Sequence, residues 1–402
     1  MNRRITVKYC FLQGGYWTLA AVAMAFTTPL LEAKGFSGTE IGILSAVKYL
    51  AVLIFQMVLG SFADKHAEKV PLQRMLILMT FVNIIFSFLF YLTGHTMWMA
   101  MLTLIVFGMT IHCASPLVDS LSIQYMNHGV KMNYAISRAC GSLCWAVFCV
   151  VVGLIADAFG ANRILIFQIV VFAFFAFNMD AVDFSKERKK EEKTEDLASE
   201  NSDTKCETGE VHSCFYLLKH FPKYSLFLLG LVFVFAAYNM NSTFLIDWIE
   251  GMGGNHADYG MAQFVLAMAE IPVALVFYRI RGRVSIDKLM VVCAFFCFLR
   301  ATATTFSGSV TLVILSQALE LLGLSIYYVG TVYFVMDYLP QADAVKGASL
   351  INLAGMGLGE MAGSISCGLI KDAFGLRNLM LLSSGVGFVG VVVMVWMWRR
   401  LE

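Results

Sequence analysis

The sequence predicts an all-α integral membrane protein of twelve transmembrane helices in two pseudo-symmetric six-helix halves. Three observations predict it. Of 402 residues, 59% are hydrophobic and only 14% charged, a balance no soluble domain of this size carries. The apolar residues recur in runs of about twenty, the length of helix that crosses a hydrocarbon core. Membrane strands would alternate apolar and polar positions, and these runs do not. Finally, the chain repeats itself: G-L-I-A-D-A-F-G from Gly153 returns as G-L-I-K-D-A-F-G from Gly368, one motif in each half.

The first half, residues 1–183, holds spans at Tyr9–Leu31, Ile41–Phe62, Leu72–Thr93, Met97–Tyr125, Met132–Ala156 and Ile164–Val182. The first has no small-residue cleavage site after a short apolar core, so it reads as a retained helix. Residues 184–218 form a charged linker opening on S-K-E-R-K-K-E-E-K, a solvated tether. The second half, residues 219–402, holds Phe221–Ile249, Tyr259–Ile280, Lys288–Phe306, Val310–Tyr338, Gly347–Ile370 and Leu376–Trp398. If the N-terminus is inside, only Lys34, Arg163, Lys371 and Arg377 fall in outer turns, and nearly all other cations lie inside. That asymmetry places both termini in the cytoplasm of a plasma-membrane protein.

A few charges lie away from span ends: Lys48, Arg138 and Arg300 against Asp119, Glu270, Glu320 and Glu360. Charge at membrane depth is costly, so such residues face a partner or an aqueous cavity and mark a functional site by default. Arg138 and Trp145 share a helix face with Gly141 and Ser142 between them. This is the shape of a cradle for a polar ligand, and equally that of a buried ion pair among packing residues. His112 lies on the face of Asp119, as a ligand or as a satisfied packing residue. Three cations against four carboxylates leave one acid without a partner, a group able to take and release a proton. Glu320 or Glu270, working with Arg300, is the candidate. Glu360 can bond nearby backbone instead.

These residues carry a resemblance. The run Gly42 to Lys65, with Gln56, Gly60 and Asp64, resembles the second span and following turn of the lactose permease branch of the major facilitator superfamily. P-L-V-D, with Asp119, is similar to that branch's fourth span, and R-A-C-G-S-L-C-W from Arg138 to its fifth. The resemblance implies that Asp119, Arg138 and Trp145 bind a sugar and that Gly60, Asp64 and Lys65 belong to a gating turn; Lys48 and His112 are candidates for the same site by charge and helix face alone. The gating motif's later glycine is replaced by Ala67. In the second half Glu270 and Arg300 resemble an acid and an arginine of a related branch. Glu320, Gln317 and Gly323 stand where the lactose permease has a histidine, a lysine and the proton-transfer acid, so its proton machinery does not transfer residue by residue.

The expectation is therefore a secondary active transporter of a small polar solute, of the sugar, oligosaccharide or nucleoside class, by proton symport and alternating access. Aromatic or organic acid symport, export of drugs or metabolites, and a non-transporting sensor are the alternatives. No phosphate-binding Gly-rich loop, zinc signature or nucleophile elbow is present, so neither ATP drive nor an enzyme is expected. The ten cysteines show no metal-ligand spacing, so neither a metal nor a cofactor is expected. The expected partners are a small-molecule substrate, the proton and the lipid bilayer, with no nucleic acid, in a monomer.

Overall fold

The computed structural model describes residues 3–66, 72–115, 118, 134–178 and 213–400, and all regular structure among them is helical. The first half holds α1 (Arg3–Met24), α2 (Thr27–Ala33), α3 (Gly38–His66), α4 (Leu72–Thr93), α5 (Met97–Phe107), α6 (Tyr134–Phe159) and α7 (Ile164–Asn178). The second holds α8 (Cys214–His220), α9 (Pro222–Thr243), α10 (Leu245–Glu250), α11 (His256–Arg281), α12 (Ile286–Thr305), α13 (Val310–Ser316), α14 (Leu324–Tyr338), α15 (Ala344–Asn352), α16 (Glu360–Phe374) and α17 (Leu376–Arg399). Among the described residues, eight stretches are long and apolar enough to cross a membrane. The helix α8 occupies the end of the predicted linker; residues 184–212 lie outside the described residues, as does most of the predicted fourth-span end.

The helices are apolar outward and polar inward. On α4, Leu78, Phe81, Ile85, Phe88 and Leu92 are exposed at spacings of three and four, one continuous stripe,. Its opposite face buries Thr80, Asn83 and Ser87. Their side chains bond back to carbonyls four residues earlier, or across to Thr110 and Gln168. Such a helix suits an apolar surround, where every polar group needs a protein partner.

The repeat explains two of the turns. Gly160 and Gly375 end α6 and α16 with φ of +85° and +83°, a left-handed conformation that glycine adopts without a Cβ penalty. Both motifs therefore stop one helix and start the next, α7 and α17, at the end opposite the chain termini, called here the far end. The halves pack internally through α1 on α6, α4 on α7, and α9 and α12 on α17. They meet each other along two seams, α3 on α16 and α6 on α11. Two apolar clusters straddle the seams near the far end: Phe36, Ile41 and Leu44 with Phe244 and Cys367, and Phe26, Val152 and Ala156 with Ile249 and Tyr259.

Candidate functional site

Among the described residues, three polar groups built on charged side chains lie inside the bundle. The first is built on Arg138, in the opening turns of α6. Its Nη1 donates to Ser142 Oγ at 2.9 Å, four residues on along one face. Its guanidinium lies over the Trp17 ring, 4.5 Å from the centroid, a cation–π contact. Trp17 meets Trp145 edge to face at 5.9 Å and donates Nε1–H to Gln13 Oε1 at 3.1 Å. Glycine at 141 makes room for this indole, since a Cβ there would sit 2.3 Å from Trp17 Cδ1. The bare patch between Arg138 and Trp145 is thus covered by an aromatic ring from α1. From the second half, Glu270 lies within electrostatic range of Arg138. It sits two residues before Pro272 in α11, whose missing N–H leaves a carbonyl unpaired and loosens the helix there.

The second group crosses the other seam. Lys48 and Tyr49, about ten residues or roughly 15 Å into α3,, face Glu360 at the start of α16. The Tyr49 hydroxyl lies near the Glu360 carboxylate and accepts from Asn239 Nδ2 at 3.3 Å. Asn239 Oδ1 accepts in turn from Ser364 and Thr243. Lys48 Nζ lies 4.4 Å from the Tyr49 ring centroid, and His112 approaches that ring at 6.1 Å. The buried His112 Nε2 finds no hydrogen-bond partner among the described residues. A π-helical turn, Leu353–Gly359, sets the angle of Glu360; such turns favour functional sites.

The third group lies within the second half. Arg300 and Glu320 are each about 1% exposed, with Nε and Oε2 3.4 Å apart. That is ion-pair distance, but neither atom is aligned for a hydrogen bond. Other contacts hold them: Arg300 Nη1 donates to Gln317 Oε1 at 2.8 Å, its guanidinium covers Tyr238 at 4.4 Å, and Glu320 Oε1 accepts from the Leu324 amide at 3.0 Å.

Of the predicted site residues, the structure thus joins Arg138 with Trp145, Lys48 with His112, and Arg300 with Glu320. Glu270 falls beside Arg138 rather than in direct contact with Arg300. Asp119 lies outside the described residues, and so do the side chains of Gly60, Asp64 and Lys65, although α3 runs through them. Sequence reasoning missed Trp17 and Tyr49, which look like core aromatics, and set Glu360 aside. The one available signal was adjacency: Tyr49 follows Lys48 directly. No metal-binding group of histidine, cysteine and acidic side chains occurs among the described residues.

With this geometry in hand, comparison with known proteins gives a family and a fold. The model of the MFS_1 like family matches residues 9–382. No curated protein sequence matches the chain. The crystal structure of the nucleoside transporter NupG superposes with a TM-score of 0.79 at 14% identity, covering all of both chains. A point mutant of NupG gives 0.81 at 14% identity, over 98% of this chain and 100% of that one. A POT family transporter in complex with 5-aminolevulinic acid gives 0.66 at 14% identity, over 98% of this chain and 95% of that one.

Proposed function

The chain belongs to the MFS_1 like family, and from that premise we propose that it carries a small polar solute across the plasma membrane by alternating access, coupled to protons. The observation that carries the proposal is a matched pair of opposite charges, one on each half. Arg138 is within electrostatic range of Glu270 across one seam, and Lys48 of Glu360 across the other. Opposite charges on surfaces that must part give both solute and proton somewhere to act, because each can replace a partner withdrawn by rocking of the halves. Arg138 with Trp17 and Trp145 supplies a cation and two rings for a planar or ring-shaped solute, and the first solute class to test is the nucleosides, followed by sugars. The eight apolar spans, with α1, α5, α11 and α12, make the twelve crossings. The chain works as a monomer with both termini in the cytoplasm, around halves at 1–183 and 219–402.

A second reading has its own support: Arg138 and Lys48 both belong to the first half, so a carboxylate-bearing solute would meet two cations there. The experiment is uptake into proteoliposomes of labelled nucleosides, sugars and aromatic or organic acids, with and without an inward proton gradient. Accumulation of one class that depends on the gradient and disappears in Arg138→Ala is the expected result. Ligand-induced thermal stabilisation without flux of any solute would point to a sensor on this fold instead.

A further inference from the structure

Resting on that reading, a duplicated feature at the far end extends it. The acid of each repeated motif reaches across to the opposite half. Asp372, in α16, accepts from the Gly38 amide at 3.1 Å and the Thr39 amide at 2.6 Å, the first residues of α3. Asp157, in α6, accepts from the His256 amide at 2.9 Å and the Ala257 amide at 2.8 Å, the first residues of α11. The motif's glycine lies four residues earlier, on the same helix face. A Cβ on Gly368 would sit 2.2 Å from the Gly38 carbonyl oxygen, and one on Gly153 would sit 2.4 Å from that of His256. One residue type lets the backbones touch and the other grips what it touches.

The receiving helices are matched too. Each opens with a local capping box: Ser37 with Glu40 before α3, and Asn255 with Asp258 before α11. These boxes satisfy amides at the edges of the first turn. The two amides between have no acceptor within their own helix, and they are the ones the opposite half supplies. A carboxylate here meets two charge-assisted bonds and the positive end of a helix dipole. We propose that Asp157 and Asp372 are twin latches of the far-end gate. Each holds a helix of the other half, closing the solute path, and both let go in every transport cycle. Flanking side-chain contacts reinforce each latch. Lys371 bridges Glu32 of the first half, at 2.6 Å, and Asp247 of the second. The His256 ring reaches Asp157 at 3.1 Å and Glu250 at 3.5 Å.

Hydrogen exchange on the full-length purified chain tests this without any solute, so a failure here is separate from a failure to transport. In Asp157→Asn, Asp372→Asn and the double variant, amides at 38–39 and 256–257 should exchange roughly tenfold faster or more, while the interiors of α9 and α12 keep their protection. Native Cys149 and Cys367, buried in the two seams, should then become reactive to maleimide in the double variant. Glu40→Ala, which removes a cap acceptor within one half, should disturb only its own turn. Gly38→Ala is the second route: its Cβ would lie 2.5 Å from Asp372 Oδ1 and should open the same latch without changing charge. Unchanged exchange in the double variant, or faster exchange with both cysteines still protected, overturns the gate. Released latches in a chain that moves no solute leave the gate standing and remove the transport reading.

Discussion

Arg300 is the largest fully buried side chain in the described residues, and its energetics are decided by what would remain if it left. Deleting one member of a buried ion pair strands the other charge, at a cost of about 3–5 kcal/mol, whereas replacing both by neutral groups is often harmless. Arg300→Met should therefore lower the apparent melting temperature sharply, and adding Glu320→Gln should recover most of the loss. Equal losses in the single and double variants would contradict the pairing. Glu32, just past the first predicted span, offers a test by pH. Burial, and then the neighbouring charge of Asp247, push its carboxyl up to about 7 from 4.5, against the opposing pull of Lys371. With the folded value raised, the folded chain keeps a proton that the unfolded chain has already released. Its contribution is thus fully present below about pH 4.5 and is lost as pH rises through about 7. Melting curves across that range should show the decline, and Glu32→Gln should flatten it. Both residues also mark what could be read in advance. Arg300 and Glu320 stood out as charges within apolar runs; that Glu32 meets Lys371, 339 positions away, is a tertiary fact that no local pattern holds.

At the scale of elements, the duplicated G-L-I-x-D-A-F-G was legible as a repeat, and its final glycine as a helix stop, because those are local backbone requirements. Its other role was hidden, since the recipient of each aspartate lies in the opposite half, 99 residues from Asp157. Most helices were legible because a run of apolar residues leaves the backbone few ways to satisfy its own hydrogen bonds in lipid. Trp17 was not, because an indole filling space above Gly141 has the same sequence signature as any core aromatic. The seams predict a consequence of their own. Gly368→Leu forces a branched side chain against the Gly38 carbonyl and should pry α3 from α16. Maleimide labelling of Cys367, fully buried at present, should accelerate at least about tenfold, with Cys113 in the first half unaffected. A labelling rate at the wild-type level would mean the seam is not held by close backbone approach.

At the scale of the whole molecule, the two buried acids proposed from sequence for the proton now stand in different places. Glu320 is bound within one half by Arg300 and by the Leu324 amide, so rocking of the halves leaves its surroundings intact. Glu270 is within electrostatic range of Arg138 from the other side of a seam, so in the proposed cycle rocking withdraws that cation. A carboxylate losing a nearby cation is driven to take up a proton, and regaining the cation expels it. That is the cycle a coupled carrier requires, and it needs no change within either half. Glu270→Gln fixes the site in its neutral form, so loaded halves can still exchange but the proton can no longer drive them. It should retain counterflow of labelled solute in proteoliposomes and lose accumulation against a gradient. Glu320→Gln should weaken the fold yet still accumulate solute. The reverse pattern, with accumulation lost in the Glu320 variant and kept in the Glu270 variant, would move proton coupling from the seam into the second half.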